Sequence, residues 1–421
     1  MLVRRTPRGS CIALVAGLLI VASAGPAVAT AGDLDASFSR DGKVRTDFGA
    51  ADEATSVDIA PHGSIVVVGV SSGEFAVSRY TPDGTLDPHF GGDGTVTTAL
   101  GSVDAFASDV TIQTDGRIVV VGGGSRKFLV VRYRRGGSLD PTFGGNGIVR
   151  IDFGGPGSAS AVAVQANGKI VAAGAALNPT TDNEDFSLVR LLPDGSLDRS
   201  FGGDGRVRTD FGAADVAAGM AIQSDGKIVV AGGTFRDFPE SDFALARYLQ
   251  DGRLDATFGR DGRKVTSFDS ADSARSVAIQ SDGKIVAAGH APVGGQQGFA
   301  LARYDTGGTL DRAFGGDGTV TTPFGAEDAG ATGLAIHGAG VVAVGSGLEA
   351  ERGGFALVRY ERDGSLDSAF GGDGKVITSF GVNGGGASEV AIQPDGRIVV
   401  AGCTSCSRRG SDFALARYVG F

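Results

Sequence analysis

Apolar and polar positions along this chain follow a few short rules that repeat. "SVAIQ" (276–280) alternates apolar and polar, the period-two signature of a strand buried on one face. "KIVVAG" (227–232) is a brief unbroken apolar run, suited to a strand covered on both faces. Asp-Gly stands between such runs, a pair that tolerates φ > 0 and predicts a two-residue hairpin turn. "FALARY" (413–418) sets Phe413, Leu415 and Arg417 on one face and Ala414 and Ala416 on the other. Large side chains on one face and small ones on the other suit close stacking against a neighbouring sheet. "KVRTDF" (43–48) is strand-like as well, and no segment beyond residue 31 holds a 3.6-residue apolar period.

The four elements recur as a set. Leu-Asp-x-x-Phe begins at Leu34, Leu86, Leu139, Leu197, Leu254, Leu310 and Leu366, at intervals of 52, 53, 58, 57, 56 and 56 residues. Strands are labelled A ("SVAIQ"), B ("KIVVAG"), C ("FALARY") and D ("KVRTDF"), from the innermost outward. One such sheet leaves apolar surface on both faces, so the units must stack. Radial stacking predicts an all-β fold, a seven-bladed β-propeller of four-stranded antiparallel blades. The first repeat opens with a D strand and the last stops after C, so residues 43–48 are expected to complete the seventh blade beside residues 413–418 and remove an exposed edge. The sixth unit departs, with His337, Gly338, Ala339 and Gly340 in place of the usual Gln and Asp-Gly, and a distorted A–B turn is expected there.

Composition fits this picture. The 71 Gly among 421 residues are spread evenly among Val, Ile and Phe, as many tight turns require. Residues 1–31 read as a secretory signal peptide: Arg4, Arg5 and Arg8, an apolar run over 12–24 too short to span a bilayer, then small residues offering cleavage after Ala29 or Ala31. The propeller domain is then 32–421, periplasmic or extracellular, with no membrane anchor after cleavage. The net charge of −10 falls to −13 with those three arginines removed, which disfavours nucleic acid as a partner. A monomer is expected.

The unit "PDGSLD-x-x-FG-G-DGKV…AIQPDGKIVVAG…DFALARY" resembles the bacterial delta-60 repeat, a family of exported β-propellers without an established activity. The likeness covers 34–418. It implies the propeller and no chemistry.

Groups present in every unit read as scaffold. Arg79, Arg132, Arg190, Arg247, Arg303, Arg359 and Arg417 close strand C on the face that carries Phe and Leu. Asp35, Asp87, Asp140, Asp198, Asp255, Asp311 and Asp367 follow on the C–D connection, six of them eight residues after an Arg, which predicts seven buried pairs or clamps. "FGGDG" lacks calcium-loop spacing and reads as a turn, so no metal site and no cofactor follow from motif spacing.

Function is sought where the seven-fold pattern breaks. Asp52, Asp104, Asp215, Asp272 and Asp328 stand four residues beyond strand D, where the third and seventh units have Gly157 and Gly384. They could form an incomplete acidic ring at the central opening or simply order their own turns. B–C loops of five residues in units 1 and 2 lengthen to nine to eleven in units 3–7. A groove on that face is the expected ligand site, walled by "ALNPTTDNED" with Asp185 and "TFRDFPESD" with Phe235 and Arg236. Cys403 and Cys406 are expected to form a local disulfide. Gly69–Gly73 matches Gly-x-Ser-x-Gly but joins two strands, not a strand and a helix, so no nucleophile is read there. His62, His89, His290 and His337 are scattered, and no catalytic residue is assigned. The expected function is a binding scaffold for a protein or glycan. A polysaccharide lyase or hydrolase and a structural envelope component are the alternatives.

Overall fold

The computed structural model describes residues 29–101, 104–237, 240–324, 329–349, 352–381, 384–406 and 410–420. The expected signal segment, apart from Ala29, Thr30 and Ala31, lies outside the described residues. Twenty-eight strands form seven four-stranded antiparallel sheets, and the described residues contain no helix. Blade 1 comprises A (Asp52–Ile59), B (Ile65–Ser71), C (Glu74–Tyr80) and D (Thr95–Thr98). Blade 7 takes A (Gly386–Ile392), B (Ile398–Cys403) and C (Phe413–Tyr418), and its outer strand is Lys43–Thr46. The closing ladder pairs Lys43 with Ala416, Val44 with Leu415, Arg45 with Ala414 and Thr46 with Phe413. This leaves the seventh blade with no open edge at C.

Blades pack large on small. Phe413 and Leu415 of blade 7 bury against Ala54, Val57, Ile65, Val67 and Ala76 of blade 1, while Ala414 and Ala416 lie under Val342, Val344, Phe355 and Leu357 of blade 6. Alternation along one strand thus builds two different interfaces, which lets the same wording propagate around the ring.

Two details differ from the sequence reading. The A–B turn is a three-residue loop, not a two-residue one: Gln113 N donates to Arg117 O around Thr114, Asp115 and Gly116. Only Gly116 has φ > 0, and Asp115 instead accepts the Arg117 amide at 3.0 Å. A single left-handed glycine after a type I turn matches strand twist equally well. The sixth unit, one residue shorter, is the one with the two-residue turn, pairing His337 with Gly340 around Gly338 and Ala339. Second, every A strand carries a bulge, at Thr55 in blade 1 and Ser388 in blade 7. The glycine that closes strand B faces it. A Cβ on Gly69 or Gly402 would collide with the carbonyl oxygen of Glu53 or Gly386, so these glycines permit close backbone approach and not an unusual φ.

Candidate binding face

Strands alternate in direction, so the D–A and B–C connections share one face. Blades 1 and 2 end there in tight turns, Ser71 opposite Glu74 and Gly124 opposite Lys127. In blades 3 to 6 the B–C ladders run on to Asn178–Asn183, Asp237–Glu240, Val293–Gln296 and Glu349–Arg352. These four adjacent hairpins stand above the ring. In blade 7 the B–C ladder stops at Cys403 opposite Phe413, and residues 407–409 of its loop lie outside the described residues. Cys403 is disulfide-paired with Cys406, and Thr404 and Asp412 tie the loop ends through Thr404 N to Asp412 O and Asp412 N to Thr404 Oγ1. A bridge spanning three residues closes so little chain that the Cys403→Ser/Cys406→Ser variant should lose no more than about 2 kcal/mol in urea unfolding.

Phe106, Phe235 and Leu348 are exposed on this face at 40, 39 and 42%, and Arg236 is exposed beside Phe235. A cavity of about 450 Å³ opens between blades 5 and 6, lined by Arg275, His290, Gln297, Thr332 and Ser346. Burial, with help from Arg275, pushes His290 down to about 4, so it is neutral at pH 7. Larger clefts of about 750 and 630 Å³ lie on the opposite face, but repeat parts such as Arg247, Gln223 and Arg132 line them.

The expected acidic ring takes a different form. Asp52, Asp215 and Asp272 are fully buried and cap their own turns, accepting the amides of Phe48 at 2.6 Å, Phe211 at 2.6 Å and Phe268 at 2.9 Å. An amide four residues back captures the carboxylate before it can reach the opening. Asp104 is exposed, and Asp328 lies outside the described residues. Asp185 is no wall residue either: it is 1% exposed, accepts from Asn178 Nδ2 at 2.9 Å and lies 3.7 Å from Arg208 Nη1. The chain instead gathers acids at two blade junctions, Asp185–Asp210–Asp215 and Asp47–Asp52–Asp412, each with carboxylate oxygens within 4.8 Å of one another.

At the other face the seven Arg and seven Asp meet pairwise. Arg79, Arg132, Arg190, Arg247, Arg303, Arg359 and Arg417 lie 2.5–2.9 Å from Asp87, Asp140, Asp198, Asp255, Asp311, Asp367 and Asp35 respectively. Each guanidinium stacks 4.5–5.0 Å from the Phe of Leu-Asp-x-x-Phe. Its Nη1 donates to a carbonyl of the following blade, as in Arg132 to Pro193, Arg359 to Gly420 and Arg417 to Pro82. A second cation from the A–B turn joins several pairs: Arg117, Lys169, Lys227, Lys284 and Arg397. Burial alone would raise the Asp255 carboxyl, but hydrogen bonds from Thr257 and Lys227 and the Arg247 charge hold it at about 2. These arginines are consumed by structure.

Sequence reasoning missed the carboxyls on the axial strands. Asp109 and Glu389 occupy one repeat position, immediately before the Val of "VTI" in blade 2 and of "VAI" in blade 7, where other blades have Ser56, Ala161, Gly219, Ser276 and Gly333. Asp109 accepts from Ser56 Oγ at 2.7 Å and Val162 N at 2.7 Å, which bridges blades 1 to 3. Burial raises Asp109 to about 6, against its hydrogen bonds and aided by Asp58. Burial likewise raises Glu389 to about 8, with Asp109 contributing. A carboxylate at a strand A position where the other repeats have Ser, Ala or Gly was the available signal.

A family model described as a domain of unknown function (DUF5122) β-propeller matches 61–90, 113–143, 165–201, 223–258, 280–314, 341–370 and 393–418, more than half of the chain. The chain belongs to this β-propeller family. No curated protein matches the sequence. Among solved structures it is similar to virginiamycin B lyase from Staphylococcus aureus, at 11% identity over 86% of this chain and 94% of that one, with a TM-score of 0.53. An ulvan lyase bound to -[GlcA(1-4)Rha3S]- matches at 14% identity over 88% and 95%, with a TM-score of 0.48. Drosophila Plexin A in complex with Semaphorin 1b matches at 10% over 92% and 88%, with a TM-score of 0.45. At such identities the likeness establishes the fold alone.

Proposed function

We propose that this DUF5122 propeller is an exported binding scaffold of the delta-60 type, taking a protein or glycan partner on the D–A/B–C face. The observation that carries the reading is the uneven height of that face. Four neighbouring hairpins project in blades 3–6 while blades 1 and 2 stay low. Three of the four large apolar side chains exposed among the described residues, Phe106, Phe235 and Leu348, lie there, with Leu366 on the opposite face. Scaffold constraints give no reason for large apolar side chains in water at one end of the ring, whereas partner burial does. The mature protein should capture a component of culture medium or envelope extract, or a defined glycan on an array. Cutting the hairpin tips at 177–184 and 235–240 back to two-residue turns should abolish capture. Equal capture by parent and variant removes the reading.

A second reading rests on Asp109 and Glu389. Two carboxyls pushed up to about 6 and about 8, on the axial strands of blades 2 and 7 that flank blade 1, are suited to exchange protons near neutral pH. Cleavage of a polysaccharide by the parent and its loss in Glu389→Gln would favour an enzyme.

A further inference from the structure

We propose that the two acidic junctions, Asp185–Asp210–Asp215 and Asp47–Asp52–Asp412, each bind a calcium ion. The junctions are built alike. Asp210 and Asp47 directly follow strand D and accept an amide two residues on, from Gly212 at 2.5 Å and Gly49 at 2.6 Å. Asp215 and Asp52 open strand A of the next blade and accept the Phe211 and Phe48 amides at 2.6 Å. Asp185 and Asp412 directly precede the Phe of strand C. Three segments of two blades thus meet at each point.

The spacing is compatible with calcium. Calcium holds oxygen ligands at about 2.3–2.6 Å, so opposed ligands in its shell stand roughly 4.6–5.2 Å apart. Carboxylate oxygens within 4.8 Å of one another fit around one such ion. Calcium also tolerates an irregular oxygen shell, whereas magnesium needs near-ideal octahedral geometry at about 2.0–2.1 Å.

The junctions also hold acceptors with nothing to accept from. Asp215, Asp52 and Asp185 are 0, 0 and 1% exposed; Oδ1 of Asp52 and of Asp185 has no hydrogen-bond partner, while Asp215 has the Thr234 hydroxyl beside it. Burying a carboxylate oxygen in that state is costly unless a cation shares the site. The junction between blades 4 and 5 supplies an internal contrast. There Ser267 stands where the other two have Asp47 and Asp210, and Asp272 Oδ1 is satisfied by the Phe243 amide at 2.9 Å. Asp52 Oδ1 is orphaned where the third acid is present, and Asp272 Oδ1 is capped where it is not.

Guanidiniums stand near both junctions, Arg208 3.7 Å from Asp185 Oδ2 and Arg45 beside Asp412, but none donates a hydrogen bond to the buried Oδ1 atoms. Arg208 spends its donors on the Ala176, Leu177 and Phe153 carbonyls, and Arg263 on the Asp210 carbonyl and Asp261. The Asp47–Asp52–Asp412 junction joins the N-terminal D strand to the last C strand, so an ion there would staple the ring at its closure.

The test uses the mature protein after treatment with chelator, equilibrium dialysis against calcium chloride, and the variants Asp210→Asn and Asp412→Asn. Neither residue caps strand A, and both keep an amide oxygen, so the variants should fold, as circular dichroism will show. The parent should bind two ions per chain, each single variant one, and the double variant none. Calcium should raise the melting temperature of the parent by several degrees and leave the double variant unchanged. Failure of the parent to bind at millimolar calcium, or two ions still bound by the double variant, would overturn the proposal. Equal binding of magnesium at both sites would also count against it.

Discussion

Replacing Arg417 with Met should lower the unfolding free energy by about 3–5 kcal/mol, the usual cost of removing one partner from a buried ion pair. The reason lies in where this arginine works. It is 5% exposed, donates to Asp35 at 2.9–3.0 Å and to Ser37 Oγ at 3.0 Å, and reaches the Pro82 carbonyl of blade 1. One side chain therefore holds the N-terminal segment, the last strand and the first blade together. Its loss leaves Asp35 buried with Arg397, a side chain 40% exposed, as the remaining cation. Arg397→Gln should cost under about 1 kcal/mol, because a half-exposed ion pair is screened by water. Arg79→Met is expected to fall between them, since the Arg79 and Asp87 side chains are 15% and 14% exposed. Chemical denaturation of the three variants checks the order. A cost for Arg417→Met no larger than for Arg397→Gln would mean the closure does not depend on the clamp.

The second large effect depends on pH. Glu389 is raised from an ordinary 4.5 to about 8 by burial, with the nearby Asp109 adding. Between those values the folded protein holds a proton that the unfolded chain has released, so stability falls as pH rises from about 4.5 to about 8 and is level above. Glu389→Gln removes that slope. The variant should match the parent near pH 5 and exceed it by roughly 3–5 kcal/mol near pH 8, since a proton held only by the folded state is worth about 1.4 kcal/mol for each pH unit crossed. Asp109 titrates at about 6, so part of the parent's loss between pH 4 and 6 remains in the variant. Melting temperatures of both proteins across pH 5–8 decide it. A gap that does not widen with pH sinks the assignment.

Several parts of the candidate face could be read without coordinates. Loop length alone marked blades 3–7 as tall, because nine to eleven residues between Gly of strand B and Phe of strand C must either pair or project. The ladders extend in blades 3–6 and stop at Cys403 in blade 7. Phe235 and Arg236 are exposed there. Asp185 defeats the same reasoning: acidic residues in a loop suggest a wetted surface, and only the paired hairpin turns this one inward, toward Asn178 and Arg208. Asp52, Asp215 and Asp272 were candidates for an open ring, yet an amide four residues back lies within reach of each carboxylate. Local hydrogen bonding outcompeted exposure.

By itself the sequence determined the seven repeats, their four strands, the innermost-to-outermost order and the circular closure. Those follow from period-two burial and from the phase at which the repeats begin and end, and both are properties of neighbours along the chain. It also placed six of the seven Arg eight residues before an Asp at the same end of the blade, so their meeting was legible. Tertiary structure alone decided what crosses between blades. The reach of Arg417 to Pro82, the meeting of Asp47 with Asp412, and the closeness of Asp109 to Glu389 join positions from about 280 to more than 350 residues apart. Such distances are set by how twisted sheets stack around an axis, and no local pattern of side chains encodes them.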